Sequence, residues 1–596
     1  HPKDPSLKLH KKIRKEDLDQ DILGLYNAYR TPIKFKKEYL QEKFQKKEAL
    51  AISFSDKIED TEDEFSIGSN NWAISGNKSF NGSPILANDP HRSIVAPSLR
   101  YLTHLVAPGW NVIGGGEPEI PGISIGHNGF GAWGLTVFRT DAEDLYVYEI
   151  NPKNSKQYWY QGEWLDFKEI KETISVKGKE NQEIVLQYSI HGPVTFVDEK
   201  RNRAYAVKCG WLEVGGSPYL ASLRMNQSQS WEEFREACSY SHIPGENMVW
   251  ADKDGTIGWQ AVGIAPIRNT HSGLVPVLGN GNYEWDGYLP IKEKPHVVNP
   301  SEGFFASANQ NVTPASYKHW NAIGFSWSDP YRGNRVNSVL SNESKNKFTM
   351  QDMMDLQVDY HSLPSEKLIK MIDQTSLDSA NKKYVEMLLA WNNKLTTTSV
   401  EAAIYVNWER TIIREFHEKY VPKNVKGLLN IQLFKIIERI NKLSTKERDE
   451  FLKNTFIASN KELKSKFGIE TSNWLYGQEE YKHIKIKHPL EHIVNDSIYK
   501  LVSFKTFPRG GNAYTPGSSG SNLRQSSGAS FRVVIDTKDW DNSVATNSPG
   551  QSGNPNSDFY RNLYEDWVND RFFELYYSKE KIKSNLHSKE VYYPKK

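Results

Sequence analysis

Gly68-Ser69-Asn70-Asn71-Trp72-Ala73-Ile74-Ser75-Gly76 is the stretch on which the reading of this 596-residue chain turns. An acidic run from Glu59 to Glu64 precedes it, and the β-type segment Pro84-Ile85-Leu86-Ala87 follows, leading into Asn88-Asp89-Pro90-His91-Arg92. A Gly-Ser pair alone carries little information, and Ser69 by itself reads as an ordinary strand-edge serine. A serine hydroxyl is a weak nucleophile until a base takes its proton, and one available base is the nucleophile's own α-amine. That amine has a reference pKa of about 7.7 to 8, so a useful fraction is neutral near pH 7. An internal Ser69 has no such amine, so a cut at the Gly68-Ser69 bond would activate it. Glycine before the cut tolerates the backbone conformations that bring a hydroxyl onto the preceding carbonyl.

A third block, GHNGFGAWGLT from Gly126 to Thr136, completes the pattern. Together GSNNWAISG, NDPHR and GHNGFGAWGLT resemble the penicillin acylase and cephalosporin acylase family of serine-type N-terminal-nucleophile hydrolases, which includes acyl-homoserine-lactone acylases. Recognisable blocks run in the family's order from about Ser69 to Tyr560. The resemblance implies an α+β fold, a four-layer αββα sandwich with a helical insertion. It also implies a precursor that cuts itself before Ser69, and a small and a large subunit from that precursor forming a heterodimer. The substrate would be a small-molecule acyl amide, the location periplasmic or extracellular. Periodicity alone supports only α+β.

Composition agrees with a large folded chain: 38% hydrophobic and 25% charged residues are ordinary for a globular protein with a sizeable core. A net charge of +2 is too near balance to argue for nucleic acid or an anionic membrane as partner. No run approaches the roughly 18 apolar residues of a membrane span. The chain opens His1-Pro2-Lys3 without methionine or an apolar signal core, as a mature or trimmed form would. Cys209 and Cys238 are the only cysteines, which excludes a disulfide scaffold and a cysteine-based metal cluster; one bridge or two buried thiols both remain open.

Residues 1–58 read as helical, with Ile22, Leu23, Leu25, Tyr26 and Tyr29 at helical spacing, and as a shortened small subunit. Residues 59–68 read as a linker ending at the cleavage site, or as a plain acidic loop. Residues 69–596 form the large-subunit body. Within it, strands and turns extend to about residue 340, including a hairpin around Lys177-Gly178-Lys179, a capping box at Ser230 to Glu233 and a tight turn at Asp254-Gly255. A helical insertion occupies about 345–467, opened by a cap between Thr349 and Asp352. Strands and Gly/Ser turns then return.

An acyl-transfer site needs donors aimed at the oxygen that becomes negative. By motif match to the family, these are the backbone N–H of Val137 and the side chain of Asn309, with Gln310 and Asn311 as register rivals. His91 matches the position after NDP and could orient the serine hydroxyl, with Asp536 as the acid behind it. Arg335 matches the arginine near the asparagine donor, with Arg332 as the fallback. Asn88 and Asp89 shape the turn that carries His91. Arg92, Tyr101 and Ile125 match walls of the acyl pocket. Arg92 follows a cephalosporin-acylase pattern that meets an acidic acyl chain, but isoleucine stands at 125 where that pattern has a second arginine, so an apolar acyl group is the alternative. Asp141 and Asp144 match ligands of a structural calcium in some members, and read equally as surface aspartates; no catalytic metal or cofactor is implied.

Two other readings compete. The 17 tryptophans and 12% aromatic content would suit a glycosidase, but no spaced carboxylate pair stands out. A degenerate family member that binds a ligand or partner without turnover would keep the same fold motifs.

Overall fold

The apolar triplets Trp72-Ala73-Ile74 and Ile85-Leu86-Ala87 pair antiparallel at the centre of the molecule, as strands β1 (Gly68–Ile74) and β2 (Ile85–Ser93) of a computed structural model. It describes residues 2–28, 33–46, 68–216, 220–345, 347–373, 375–520 and 524–594. The register sets Trp72 opposite Ala87 and Ser69 opposite Pro90. The free edge of β1 takes the strand Phe304–Ser307, with Asn71 opposite Ser307. On its other side β2 takes the strand Phe531–Asp536, beyond which lie Val544–Asn547 and Phe573–Glu574. The sheet is thus closed by strands from the far end of the chain, and every residue of β1 is buried.

A second antiparallel sheet lies against the first. Its strands β3 (Tyr101–Ala107), β4 (Trp110–Gly116), β5 (Ile125–His127) and β6 (Gly131–Val137) form a meander, and β6 pairs with Glu246–Asp252. Ala73 and Leu86 from the first sheet share one apolar core with Val249 and Trp259 from the second. On the outer face of the first sheet, Met353 and Leu356 of the helix Met350–Gln357 pack on Trp72, Ile74, Ile85 and Val534. On the outer face of the second, Phe234 of the helix Trp231–Cys238 packs at a tilt against Trp133 and Trp250. The order helix, sheet, sheet, helix is the expected αββα sandwich, because each sheet has two apolar faces to cover.

Helices fill the expected insertion: Leu363–Ile372, Ser379–Ala390, Val400–Tyr420, Leu433–Asn441 and Thr445–Phe467 share an apolar core of their own around Trp408, Phe456 and Trp474. Thr349 and Asp352 close a reciprocal capping box. At Ser230 the box is half made. The Ser230 hydroxyl accepts the Glu233 N–H at 3.3 Å, but the Glu233 carboxylate takes the N–H of Gln229 instead. Gly178 and Gly255 sit at φ 75° and 102°, the left-handed conformations their turns need.

The amino-terminal expectation is corrected. The described part of residues 1–58 contains three short 3₁₀ turns and the five-residue helix Gly24–Ala28, and Leu25, assigned to the apolar face, is exposed. The physical reason is that Ile13 and Ile22 find their burial by docking on a third sheet, against Val147, Tyr205 and Leu278. A short segment gains more from such a ready-made apolar surface than from nucleating a helix. Tyr29 and the linker residues 59–67 lie outside the described residues. Cys209 and Cys238 are both buried and both free. Among the described residues no helix is long and apolar enough to cross a membrane.

Candidate active site

Ser69 is the second residue of β1, where the edge of the first sheet meets the end of β6 in the second. Its Oγ accepts the Val137 N–H at 3.3 Å and the Asn309 Nδ2 at 3.1 Å. Asn309 also accepts the Ser69 backbone N–H on its Oδ1 at 2.7 Å. Asn309 has φ 69°, a left-handed conformation that asparagine tolerates better than most residues, and it stands two residues after the strand Phe304–Ser307 that borders β1. Its neighbours have other tasks. Gln310 accepts the Ala308 N–H at 2.7 Å and Asn311 the Thr313 N–H at 3.0 Å, so both hold the turn.

The relation between nucleophile and donors is set by buried amides that bridge the sheets. Asn88 donates to Asn70 O at 2.6 Å and to Leu135 O at 3.0 Å, and accepts the Leu135 N–H at 2.9 Å. A Cβ on Gly134 would stand 2.8 Å from the Asn88 side chain, so that close approach requires glycine. Asn247 completes the bridge through Thr136 and Ser307. Asn88 and Asp89 therefore lie within β2, and the turn expected there is a strand.

The arginine beside the asparagine is Arg332, which corrects the choice of Arg335. Arg332 donates to Asn309 Oδ1 at 3.0 Å, Ser69 O at 3.0 Å and Asn70 Oδ1 at 2.7 Å. Burial lowers its pKa to about 10, and it still carries its charge at neutral pH. Arg335 points instead to Asp359, 2.7 Å away and partly exposed. The two lie three residues apart on the helix Tyr331–Leu340, and only its docking angle decides which reaches β1.

His91 and Asp536 are also placed differently from expectation. The His91 Nε2 lies 2.7 Å from Asp89 Oδ2, and the Asn70 amide is 3.0 Å from the same carboxylate. The His91 ring shares the Asn70 face of the sheet, while Ser69 pairs with Pro90 and projects to the other face. Burial, then Arg332, Arg532 and Arg92, hold the imidazole neutral well below its usual range. Burial pushes the Asp89 carboxyl up, against the pull of Arg532 and Arg332. Asp536 stands opposite Ile85, six positions along β2 from His91, and bonds Asn81 and Asn542. It is a structural acid, and the acid at His91 is Asp89.

A cavity of about 660 Å³ opens from Val137. Arg92, Phe138, Arg139, Trp211, Glu246 and Phe325 line it. Arg92 is placed there as expected from the sequence, but Tyr101 is half-exposed on β3 and Ile125 is buried in the core between the sheets. Glu246, opposite Val137 in register, is pushed up to about 7 by burial, partly offset by Arg92 and Arg100. Sequence reading missed it, because an acid within an apolar strand carries no local mark of a pocket.

The calcium expectation fails a test of fit. Arg268 donates to Asp144 Oδ2 at 2.9 Å, Asp141 O at 2.9 Å and Asp141 Oδ1 at 3.3 Å. His271 and the indole N–H of Trp285 also meet the Asp144 Oδ2. A guanidinium thus already neutralises the acids that would ligate the ion. Asp144 and Arg268 are both buried, so Asp141 and Asp144 as arranged do not fit calcium.

Comparisons with known proteins agree with this architecture. The chain is 24% identical over 563 residues to acyl-homoserine lactone acylase QuiP of Pseudomonas aeruginosa, covering 85% of this chain and 66% of that protein. It is 28% identical over 289 residues to penicillin G acylase of Escherichia coli, covering 48% and 34% respectively. It therefore spans only part of the length of these relatives. Among solved structures, thermostable penicillin G acylase from Alcaligenes faecalis superposes with a TM-score of 0.70 at 21% identity, over 88% of this chain and 100% of that one, which shows a shared fold. The model of the penicillin amidase family matches residues 8–584, and the chain belongs to that family.

Proposed function

We propose that this protein is a self-processed amidohydrolase that transfers the acyl group of a small amide to Ser69 and then to water. The observation that carries this reading is the convergence of the Val137 N–H and the Asn309 amide on the Ser69 hydroxyl. Two preorganised donors at one hydroxyl are what a tetrahedral oxyanion beside that hydroxyl requires. Once the Gly68-Ser69 bond is cut, the nitrogen held by Asn309 Oδ1 becomes an α-amine. The Arg332 guanidinium nearby disfavours its protonated form, leaving it free to accept the hydroxyl proton. Ser69 then attacks the substrate carbonyl, the amine product leaves with a proton, and water releases the acid from the ester.

The names of the relatives support an acylase and leave two substrate classes, penicillin or cephalosporin amides and N-acyl amines such as acyl-homoserine lactones. Under this reading the two pieces of the cut chain stay together as small and large subunits, and the enzyme works outside the bacterial inner membrane. Cell fractionation of the source organism tests the second point.

Denatured intact mass with N-terminal sequencing is the decisive experiment, followed by amine release from a panel of acyl amides. A large fragment beginning Ser69-Asn70-Asn71 and release of amine are expected, and Ser69→Ala abolishes both. A Ser69→Ala protein that is cut and active would end the assignment. An uncut, inactive wild type would indicate a member that binds without turnover.

A further inference from the structure

We infer that Arg92 is the group that draws out the Gly68 carbonyl when the chain cuts itself, a role separate from the Val137 and Asn309 donors that serve the substrate. The inference rests on the self-cleavage reading above. In the uncut chain the Arg92 Nη1 donates to Gly68 O at 3.3 Å and to the neighbouring His91 O at 2.9 Å. Gly68 O is the oxygen that becomes negative when Ser69 Oγ attacks the Gly68 carbon. On the other side of the same peptide bond, the Ser69 N–H is held by Asn309 Oδ1 at 2.7 Å. Val137 and Asn309 Nδ2 meet the serine hydroxyl, and no other side chain forms a hydrogen bond to Gly68 O among the described residues. The charged donor stabilises the carbonyl oxygen as it becomes negative, and Asn309 Oδ1 holds the nitrogen in place as it takes up the proton and departs.

The step balances within the chain. Ser69 Oγ bonds to the Gly68 carbon, the carbon–nitrogen bond breaks, and the hydroxyl proton moves to the departing nitrogen, which becomes the α-amine. Water then cleaves the Gly68 ester, restoring the hydroxyl and leaving a Gly68 carboxylate beside Arg92. As that carboxylate withdraws, the guanidinium is freed to face the acyl cavity it lines.

Gly68 itself supports this account. A Cβ there would stand 2.8 Å from Asn309 Oδ1, which accepts the Ser69 N–H, and 2.6 Å from Arg332 Nη2, which donates to that same Oδ1. Glycine lets the carbonyl turn toward Arg92 while the Ser69 nitrogen stays on Asn309.

Cell-free synthesis of the full chain, followed by intact mass over time, tests the role. Arg92→Met keeps the bulk without the donor and is expected to cut about 10² to 10³ times more slowly. Arg92→Lys is expected to recover most of the rate, since an ammonium can also serve the carbonyl. Thermal melts confirm that each variant folds. Should the Met variant not fold, Arg92→Gln takes its place, with cutting slowed about tenfold or more. Either uncharged variant cutting at the wild-type rate overturns the assignment. A wild-type chain that stays whole overturns the self-cleavage reading, and this inference with it.

Discussion

Asn309 holds Ser69 from both sides: its Oδ1 accepts the serine's backbone N–H at 2.7 Å while its Nδ2 donates to the serine's Oγ at 3.1 Å. One amide therefore fixes both the future base and the nucleophile, and Arg332 fixes the amide in turn by donating to the same Oδ1.

Asn309→Ala should lower kcat of the processed enzyme by about 10² to 10³. It should also slow self-cleavage, since the scissile N–H loses its acceptor. An unchanged kcat would move the oxyanion role to another group.

Arg332 and Arg335 should separate cleanly. Arg332→Ala leaves Asn309 Oδ1, Ser69 O and Asn70 Oδ1 short of a donor in a buried site, at about 1 to 3 kcal/mol for each unmet group. Arg335→Ala breaks one partly exposed ion pair with Asp359, worth about 1 kcal/mol or less. Thermal melts and amide hydrolysis should show a large loss for the first variant and nearly none for the second. Equal losses would contradict the geometry.

With a guanidinium standing among Asp141 and Asp144, the fold should not depend on calcium bound at these acids. A strong chelator should leave the melting temperature unchanged. Arg268→Ala, which leaves a buried acid without its partner, should cost about 3 to 5 kcal/mol. Added calcium should stabilise only this variant, whose vacated acids can accept an ion. Stabilisation of the wild type by calcium would show that the acids are not committed to Arg268.

Glu246, which titrates near 7, should give the acyl cavity a pH-dependent charge. Burial raises this carboxyl, so it is neutral below that pH and an anion above it, in the field of Arg92, Arg100 and Glu117. KM for an acyl chain ending in a carboxylate should therefore rise as pH passes upward through 7, while an uncharged chain of the same length should not respond. Glu246→Gln should flatten the profile. Parallel profiles for both substrates would remove Glu246 from the pocket's electrostatics.

The helical insertion was legible because it is written locally, as long helices with caps such as Thr349 and Asp352, whereas strand periodicity gave only α+β and the layers of the sandwich followed from the family resemblance. The amino-terminal segment was misread for a related reason. Helical spacing from Ile22 to Tyr26 is a local signal, but docking on the third sheet is not. Among the site residues, Ser69, Val137 and Asn309 lie in contiguous motifs that match the family, so the resemblance led to all three, with the register between Asn309, Gln310 and Asn311 left to the structure.

Arg335 was a matter of helix phase. Asp536 was a matter of register, since a strand's position along its neighbour cannot be read from its own residues. Arg268 meets Asp144 from 124 residues away and Arg332 meets Ser69 from 263.

By itself, the amino-acid sequence determined an α+β chain with a helical insertion, from the periodicity of single segments, and, through the motifs it shares with the penicillin acylase family, the αββα layers and the choice of Ser69, Val137 and Asn309. Only the tertiary structure decided which arginine reaches Asn309, which acid meets His91, and that a guanidinium stands among the calcium-type acids. Those pairings depend on the angle, register and distance between elements remote in the chain, and buried charges bond whatever partner that packing brings within reach.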